Sequence, residues 1–324
     1  MSPDLGKLEH IEPRTLWESE AGLFTSWLAA NLNLLGEALG LDLELSETEA
    51  AVGAFSCDIH ARDTGRDRRV IIENQLEPTD HRHLGQLLTY AAGLDATVIV
   101  WIGPEIREEH REALDWLNRH TDEHVEFFGV ALEVVRIGDS KPAVVFRLAA
   151  SPNAWTKSVA SVAKSDVSSR ALAYQEFFQT VIDELREQHK FTNAKLAQPR
   201  RFYAFGSGIL GIVYSAAFAG GERMRAEVYI DLGQADRNKA IYDWLLARKN
   251  EIEKFTGQLE WERLDQRRAS RISLVRYQTV IEDAADHGGE LRSWLVQALL
   301  SMKSTFGPLL TAAVKEIPAP FQSE

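Results

Sequence analysis

An α/β architecture in two parts follows from three features of this chain. Between Val52 and Phe128, short apolar runs alternate with amphipathic helical stretches, the order that builds a mixed sheet with helices packed on it. Turn residues then cluster at Ser151-Pro152-Asn153, which places a first domain at 1–153 and a second at 154–324. Beyond that point strands joined at glycines and long helices follow in separate blocks, the pattern of an α+β domain.

The elements of the first domain can be taken in order. Pro3 and Pro13 make 1–17 an irregular lead-in. Leu23, Phe24, Trp27, Leu28, Leu32, Leu35 and Leu39 recur at three- and four-residue spacing, which predicts a helix over 18–39 that Gly40 ends. A strand at 41–45 opens the sheet. Strands at 55–61 and 69–76 continue it as a hairpin turning at Gly65. Pro78 stops the second strand and Asp80 caps the next helix, which runs through Leu84, Leu87, Leu88 and Ala91 to Gly93. A strand at 97–102, a helix at 105–120 with Ile106, His110, Leu114 and either Leu117 or Trp116 facing inward, and a strand at 125–128 follow. A strand pair at 130–137 and 143–148, split at Gly138-Asp139-Ser140, completes the domain.

The second domain reads as a polar linker to Ser169, a helix at 170–189, strands at 203–218 and 223–232 joined at Gly220-Gly221, a helix at 235–255, strands at 258–264 and 269–280, and a closing helix at 289–314. Gly206, Gly208 and Gly211 do not have the spacing of a dinucleotide fingerprint, and no helix follows them.

Charge divides as the elements do. Up to Trp155 there are 13 basic and 27 acidic side chains, a balance of −14, against 23 and 21, or +2, in the remainder. The total of −12 lacks the basic footprint of a phosphate binder, although a cation held by carboxylates reverses the local sign. The lone Cys57 excludes an intramolecular disulfide framework. With no basic leader followed by an apolar run, and no apolar segment near the roughly 20 residues of a membrane span, a cytoplasmic location is expected.

Acidic residues interrupt the central strands where burial should exclude them. Asp58 lies within one strand and Glu73-Asn74-Gln75 ends its neighbour, so two carboxylates can converge as hard oxygen donors. Glu20 sits in the first turn of the opening helix, with Glu37 a rival acid on the same helix. Gln86 and Tyr90, four apart, share one helix face. Each position also has an ordinary reading: Glu20 as a complement to the helix dipole, His81 and His83 as solvated groups, Gln86 and Tyr90 as packing.

This order of residues resembles the PD-(D/E)XK nuclease superfamily, and the Gln86-x-x-x-Tyr90 pair resembles the motif of its RecB-like branch. The whole chain is similar to a bacterial family that joins such a domain to a C-terminal domain of unknown function. The resemblance implies a restriction-endonuclease-like mixed sheet and a metal-dependent endonuclease hydrolysing DNA phosphodiester bonds, in defence against foreign DNA or in DNA maintenance. It implies Mg2+ or Mn2+ on Asp58, Glu73 and the Asn74 carbonyl, Glu20 positioning a water, and Gln86 and Tyr90 near the phosphate. Gln75 stands where the pattern usually has lysine, and an amide neither carries charge nor takes a proton. A non-catalytic module that binds nucleic acid or a protein partner is the rival reading, with Gln75 in its favour. Against it, two close carboxylates repel each other when no cation is present.

In the second domain Arg267, Arg268 and Arg271 lie near Trp261 and Tyr277. Arginine forks match phosphate and aromatic rings stack on bases, so these arginines are the expected substrate contacts, with Asn238 and Lys239 able to join them. Pairing with Glu260, Glu262 and Asp265, or with the acidic first domain, is the alternative, which Asn238 and Lys239 could equally join. DNA is the expected partner, with a homodimer left open and no membrane.

Overall fold

A computed structural model describes residues 6–122, 124–152 and 169–318. These fall in two compact units, the first taking 6–63 and the described residues of 67–152, the second 64–66 and 169–318. The expected boundary at 153 and the linker after it lie outside the described residues.

The first unit is a seven-stranded mixed sheet with the path β1 (Leu8–Ile11), β6 (Glu126–Ile137), β5 (Val98–Gly103), β4 (Arg68–Asn74), β3 (Phe55–Asp63), β2 (Leu43–Val52), while β7 (Ala143–Ala150) also pairs with β6. β2, β3 and β4 run antiparallel, whereas β4, β5 and β6 are parallel. Parallel neighbours need crossover connections, and the helices α3 (His81–Gly93) and α4 (Glu108–His120) supply them. β5 is buried at every position, as a strand covered on both faces must be. Ile59, Val70, Ile72 and Val100 pack on one face with Phe24, Leu28 and Leu35. Ile71, Ile99 and Trp101 pack on the other with Leu87, Tyr90 and Leu114.

Four local expectations need correction. Residues 8–11 form a strand, because their backbone pairs with residues 134–137 even though most of their side chains are exposed. The opening helix is three pieces: a wide turn with i to i−5 bonding at Glu20–Phe24, then α1 (Thr25–Ala30) and α2 (Leu32–Leu39), broken at Asn31; Leu23 points outward. The strands expected at 125–128 and 130–137 are one, since Gly129 continues the ladder beside Trp101. Trp116, one of two alternatives for the inward face of α4, is exposed.

The second unit has a five-stranded antiparallel sheet in the order β11 (Glu260–Glu262), β12 (Ser270–Tyr277), β10 (Arg223–Ile230), β9 (Ile212–Ala219), β8 (Phe202–Ile209). One face carries Phe205, Tyr214, Met224, Val228 and Ile272 into the core shared with α5 (Ser169–Glu187) and α8 (Ala284–Glu316). The strand expected at 203–218 is a hairpin, turned at Gly211, whose φ of +84° would strain any other residue and whose added Cβ would meet Asp231 O at 2.6 Å. The helix expected at 235–255 is two, α6 (Ala235–Leu246) and α7 (Lys249–Thr256). No helix among the described residues is long and apolar enough to cross a membrane.

Candidate functional site

The acidic constellation assembles where β3 and β4 part. Their ladder ends at Ile59↔Ile72, and beyond it the Asp58 carboxylate takes the place of a backbone partner, its Oδ2 accepting the Asn74 N–H at 2.9 Å. Glu73 lies on the next position of β4 and is 5 % exposed. Among the described residues its Oε2 is buried and has no hydrogen-bond partner. Burial, and then repulsion from Asp58, pushes the Glu73 carboxyl up to about 9. Burial pushes Asp58 up to about 6, with Glu49 and Glu20 adding in the same direction while the Asn74 N–H and His83 oppose it.

Glu49 was not among the expected residues, yet hairpin arithmetic finds it. Thr48↔Ile59 and Ala50↔Cys57 flank it, which sets Glu49 opposite Asp58. His83 is held through its own N–H and ring by Asp80, whose Oδ1 caps α3.

Glu20 reaches the site by way of the wide turn at the head of the opening segment. Its Oε1 accepts the Leu76 N–H at 2.9 Å and a bond from Arg14 at 3.3 Å, so this carboxylate ties the strand end that carries the motif. Thr25, just after the turn, is hydrogen-bonded to the Asn74 side chain at 3.0 Å. Such wide turns concentrate at functional sites. Gln86 Nε2 donates to Tyr90 Oη at 3.2 Å, and burial followed by the nearby Glu73 charge raises the Tyr90 phenol above its ordinary range. Gln86 Oε1 is buried without a partner among the described residues.

Gln75 is engaged at both ends of its amide. Trp101 Nε1 donates to Gln75 Oε1 at 2.8 Å, and Gln75 Nε2 donates to Pro78 O at 3.0 Å, with the residue 1 % exposed. Trp101 lies against His110, which bridges Thr79 at 2.7 Å and His81 at 3.0 Å. Burial and the neighbouring His81 lower the His110 imidazole. This chain locks the strand ends of β4 and β5 together and gives His81 a partner.

Asp58 and Glu73 thus form the acidic pair, Glu20 and Glu49 stand within electrostatic reach, and Asn74 braces Asp58. Among the described residues no group of three or more His, Cys, Asp or Glu side chains could hold a metal ion. The available oxygen set is smaller: two carboxylates, one with an orphaned oxygen, and backbone carbonyls.

The arginines of the second unit fare differently from one another. Arg268 makes a two-pronged pair with Asp231 at 2.7 and 2.9 Å. Arg271 pairs with Glu227 at 3.1 Å and Glu262 at 3.2 Å. Arg267 is exposed and has no ion pair among the described residues. Trp261 donates to Glu253 and Tyr277 to Glu260, so both rings have polar anchors. Asn238 and Lys239 are buried: the Lys239 ammonium donates to the carbonyls of Leu264 and Ala269 at 3.0 and 2.7 Å, which pins the 264–269 loop and removes Lys239 itself from any surface role.

Residues 173–310 match a family model described as Domain of unknown function (DUF4268). No curated protein and no solved structure matches the chain.

Proposed function

We propose that the first unit is a metal-dependent nuclease of PD-(D/E)XK type that hydrolyses phosphodiester bonds in DNA, with Asp58 and Glu73 holding Mg2+ or Mn2+. One observation carries this reading: a carboxylate oxygen of Glu73 is buried with no donor, beside a second raised carboxylate. Burying a carboxylate without a counter-charge is costly, and a cation is the partner that both oxygen sets suit. When bound, the cation would offset phosphate charge and acidify water. Asn74 N–H would hold Asp58 in place for it, Glu20 would fix the Leu76 end of the strand, and Tyr90 with Gln86 would face the phosphate from α3.

A second reading has its own support. Both ends of the Gln75 amide are engaged, by Trp101 and Pro78, and the side chain is buried, so it is held as part of the scaffold rather than presented to a water. A decayed module that binds nucleic acid or a protein would have no other need of that position. The deciding experiment is incubation of the purified protein with DNA in Mg2+, Mn2+ or EDTA, beside Asp58→Asn and Glu73→Gln. Cleavage that needs metal and falls by about a hundredfold or more in both variants supports the nuclease. Metal-independent cleavage, or none with DNA binding retained, supports the second reading.

A further inference from the structure

The outer face of the second unit's sheet, turned away from its helices, holds a second feature. Register places Ala204 against Ser215, and Phe202 against Ala217, while Ala217 and Ala219 lie beside Arg225 and Arg223. Small side chains on β8 and β9 therefore meet a wall of arginines on β10 and β12, and the step between them leaves a cleft of about 480 Å³. That is within the range of small-molecule sites.

The wall is fixed from below. Glu227, itself buried, pairs with Arg225 at 3.2 Å and Arg271 at 3.1 Å and accepts the Ser215 hydroxyl at 2.8 Å. Burial lowers the Arg225 guanidinium, yet a group of this type stays charged in proteins. Five arginines and one glutamate line the cleft, and Glu260 and Glu262 also pair with Arg223, Arg225 and Arg271, so the uncompensated positive charge comes from the remaining arginines. Two of those arginines, Arg201 and Arg267, have no ion pair among the described residues. Phe202, 47 % exposed, and Tyr229 supply ring surface at its edges.

We propose that this cleft binds a nucleoside phosphate, the base on Phe202 over the small-residue floor and the phosphate on the neighbouring Arg201, with Arg267 adding positive charge at the far end of the cleft. Unpaired guanidinium forks match phosphate oxygens, and an exposed ring beside a flat apolar floor accepts any base face. The phosphate-bearing base has two sources, a free mononucleotide or the 5′ end of a single strand. The inference is independent of the carboxylate site.

The test uses the full chain carrying Glu73→Gln, so that cleavage does not intrude, titrated in a calorimeter with inorganic phosphate, 5′-dAMP, and a short single strand with or without a 5′-phosphate. The expected result is binding of 5′-dAMP or of the 5′-phosphorylated strand, weakened about tenfold or more by Arg201→Ala with Arg267→Ala. Phe202→Ala is expected to weaken the nucleotide by a similar factor and leave inorganic phosphate unchanged. Tighter binding of the 5′-phosphorylated strand than of 5′-dAMP assigns the site to strand ends; equal or tighter binding of 5′-dAMP assigns it to free nucleotide. No binding of either, affinity no better than for inorganic phosphate, or indifference to the arginine substitutions overturns the proposal. The three cleft substitutions are at exposed positions, and circular dichroism checks the fold of each variant. Cleavage by the protein with intact Glu73 is scored separately, so the nuclease reading and this one can fail independently.

Discussion

Glu73 and Glu227 are buried to nearly the same degree, 5 % and 6 % exposed, but their surroundings are opposite. Glu227 has a serine hydroxyl on Oε1 and two arginines within ion-pair range of Oε2, although without hydrogen-bond geometry, whereas Glu73 has Asp58 as its neighbour, an orphaned oxygen and no ion pair among the described residues. In the second unit the counter-charge is part of the chain, and the ion network builds a surface. In the first unit the chain gathers like charges and leaves their neutralisation to a proton or a cation. Burial of an acid is structural where its partner is internal, and points to a ligand where it is not.

The comparison can be broken first at Glu227. Glu227→Ala leaves Arg225 and Arg271 partly uncompensated in a buried setting, and breaking such a pair costs about 3–5 kcal/mol. Thermal unfolding and hydrogen exchange across 202–277 should show the second unit destabilised; unchanged protection there would mean that the arginines do not need Glu227.

Glu73→Gln should act in the other direction. Below the ordinary carboxylate range Glu73 is protonated both folded and unfolded. Between 4.5 and about 9 the unfolded chain has released a proton that the folded chain keeps, so metal-free stability falls as pH rises through that window. Asp58, raised to about 6, contributes with the same sign over a narrower range. Removing the Glu73 titration should flatten the decline and leave the metal-free protein more stable near neutral pH, as read from denaturant unfolding at a series of pH values. A variant with the wild-type slope would place the charge elsewhere.

Gln75 gives the smallest of these effects and separates scaffold from chemistry. Gln75→Ala strands the Trp101 indole N–H in a buried site, at about 1–3 kcal/mol. Gln75→Lys cannot restore the bond, because an ammonium has no acceptor for that N–H, so it should lose stability as well, despite matching the residue common in the resembling nucleases. Denaturant unfolding followed by the near-ultraviolet tryptophan signal checks both; stability equal to wild type in either would mean that the amide is not held as described.

The sheet order of the first unit follows from strands and helices that were legible, since each carries its own period. What stayed hidden depends on partners far along the chain. The strand at 8–11 exists by pairing with 134–137, more than a hundred residues away, and its own pattern is exposed. The break at Asn31 falls inside an unbroken apolar periodicity, so nothing local announces it. The acids Asp58 and Glu73 were readable because charge on a buried strand is anomalous in sequence. The role of Gln75 was not, because its acceptor is used by Trp101, 26 positions on. Lys239 looked like a surface cation until three carbonyls of a later loop closed over it. The arginine cleft needed the register of β8, β9 and β10, which no single strand reveals.

Binding of Mn2+ with simultaneous measurement of proton release decides whether Asp58 and Glu73 form a cation site. Because Glu73 is raised to about 9 in the metal-free protein, seating a cation on Asp58 and Glu73 near neutral pH must expel a proton, and calorimetry in buffers of different ionisation heat counts it. The expected result is a Mn2+ site in the wild type that releases about one proton, with affinity and release both lost in Glu73→Gln. Binding unaltered by Glu73→Gln, or no binding at all, would contradict it.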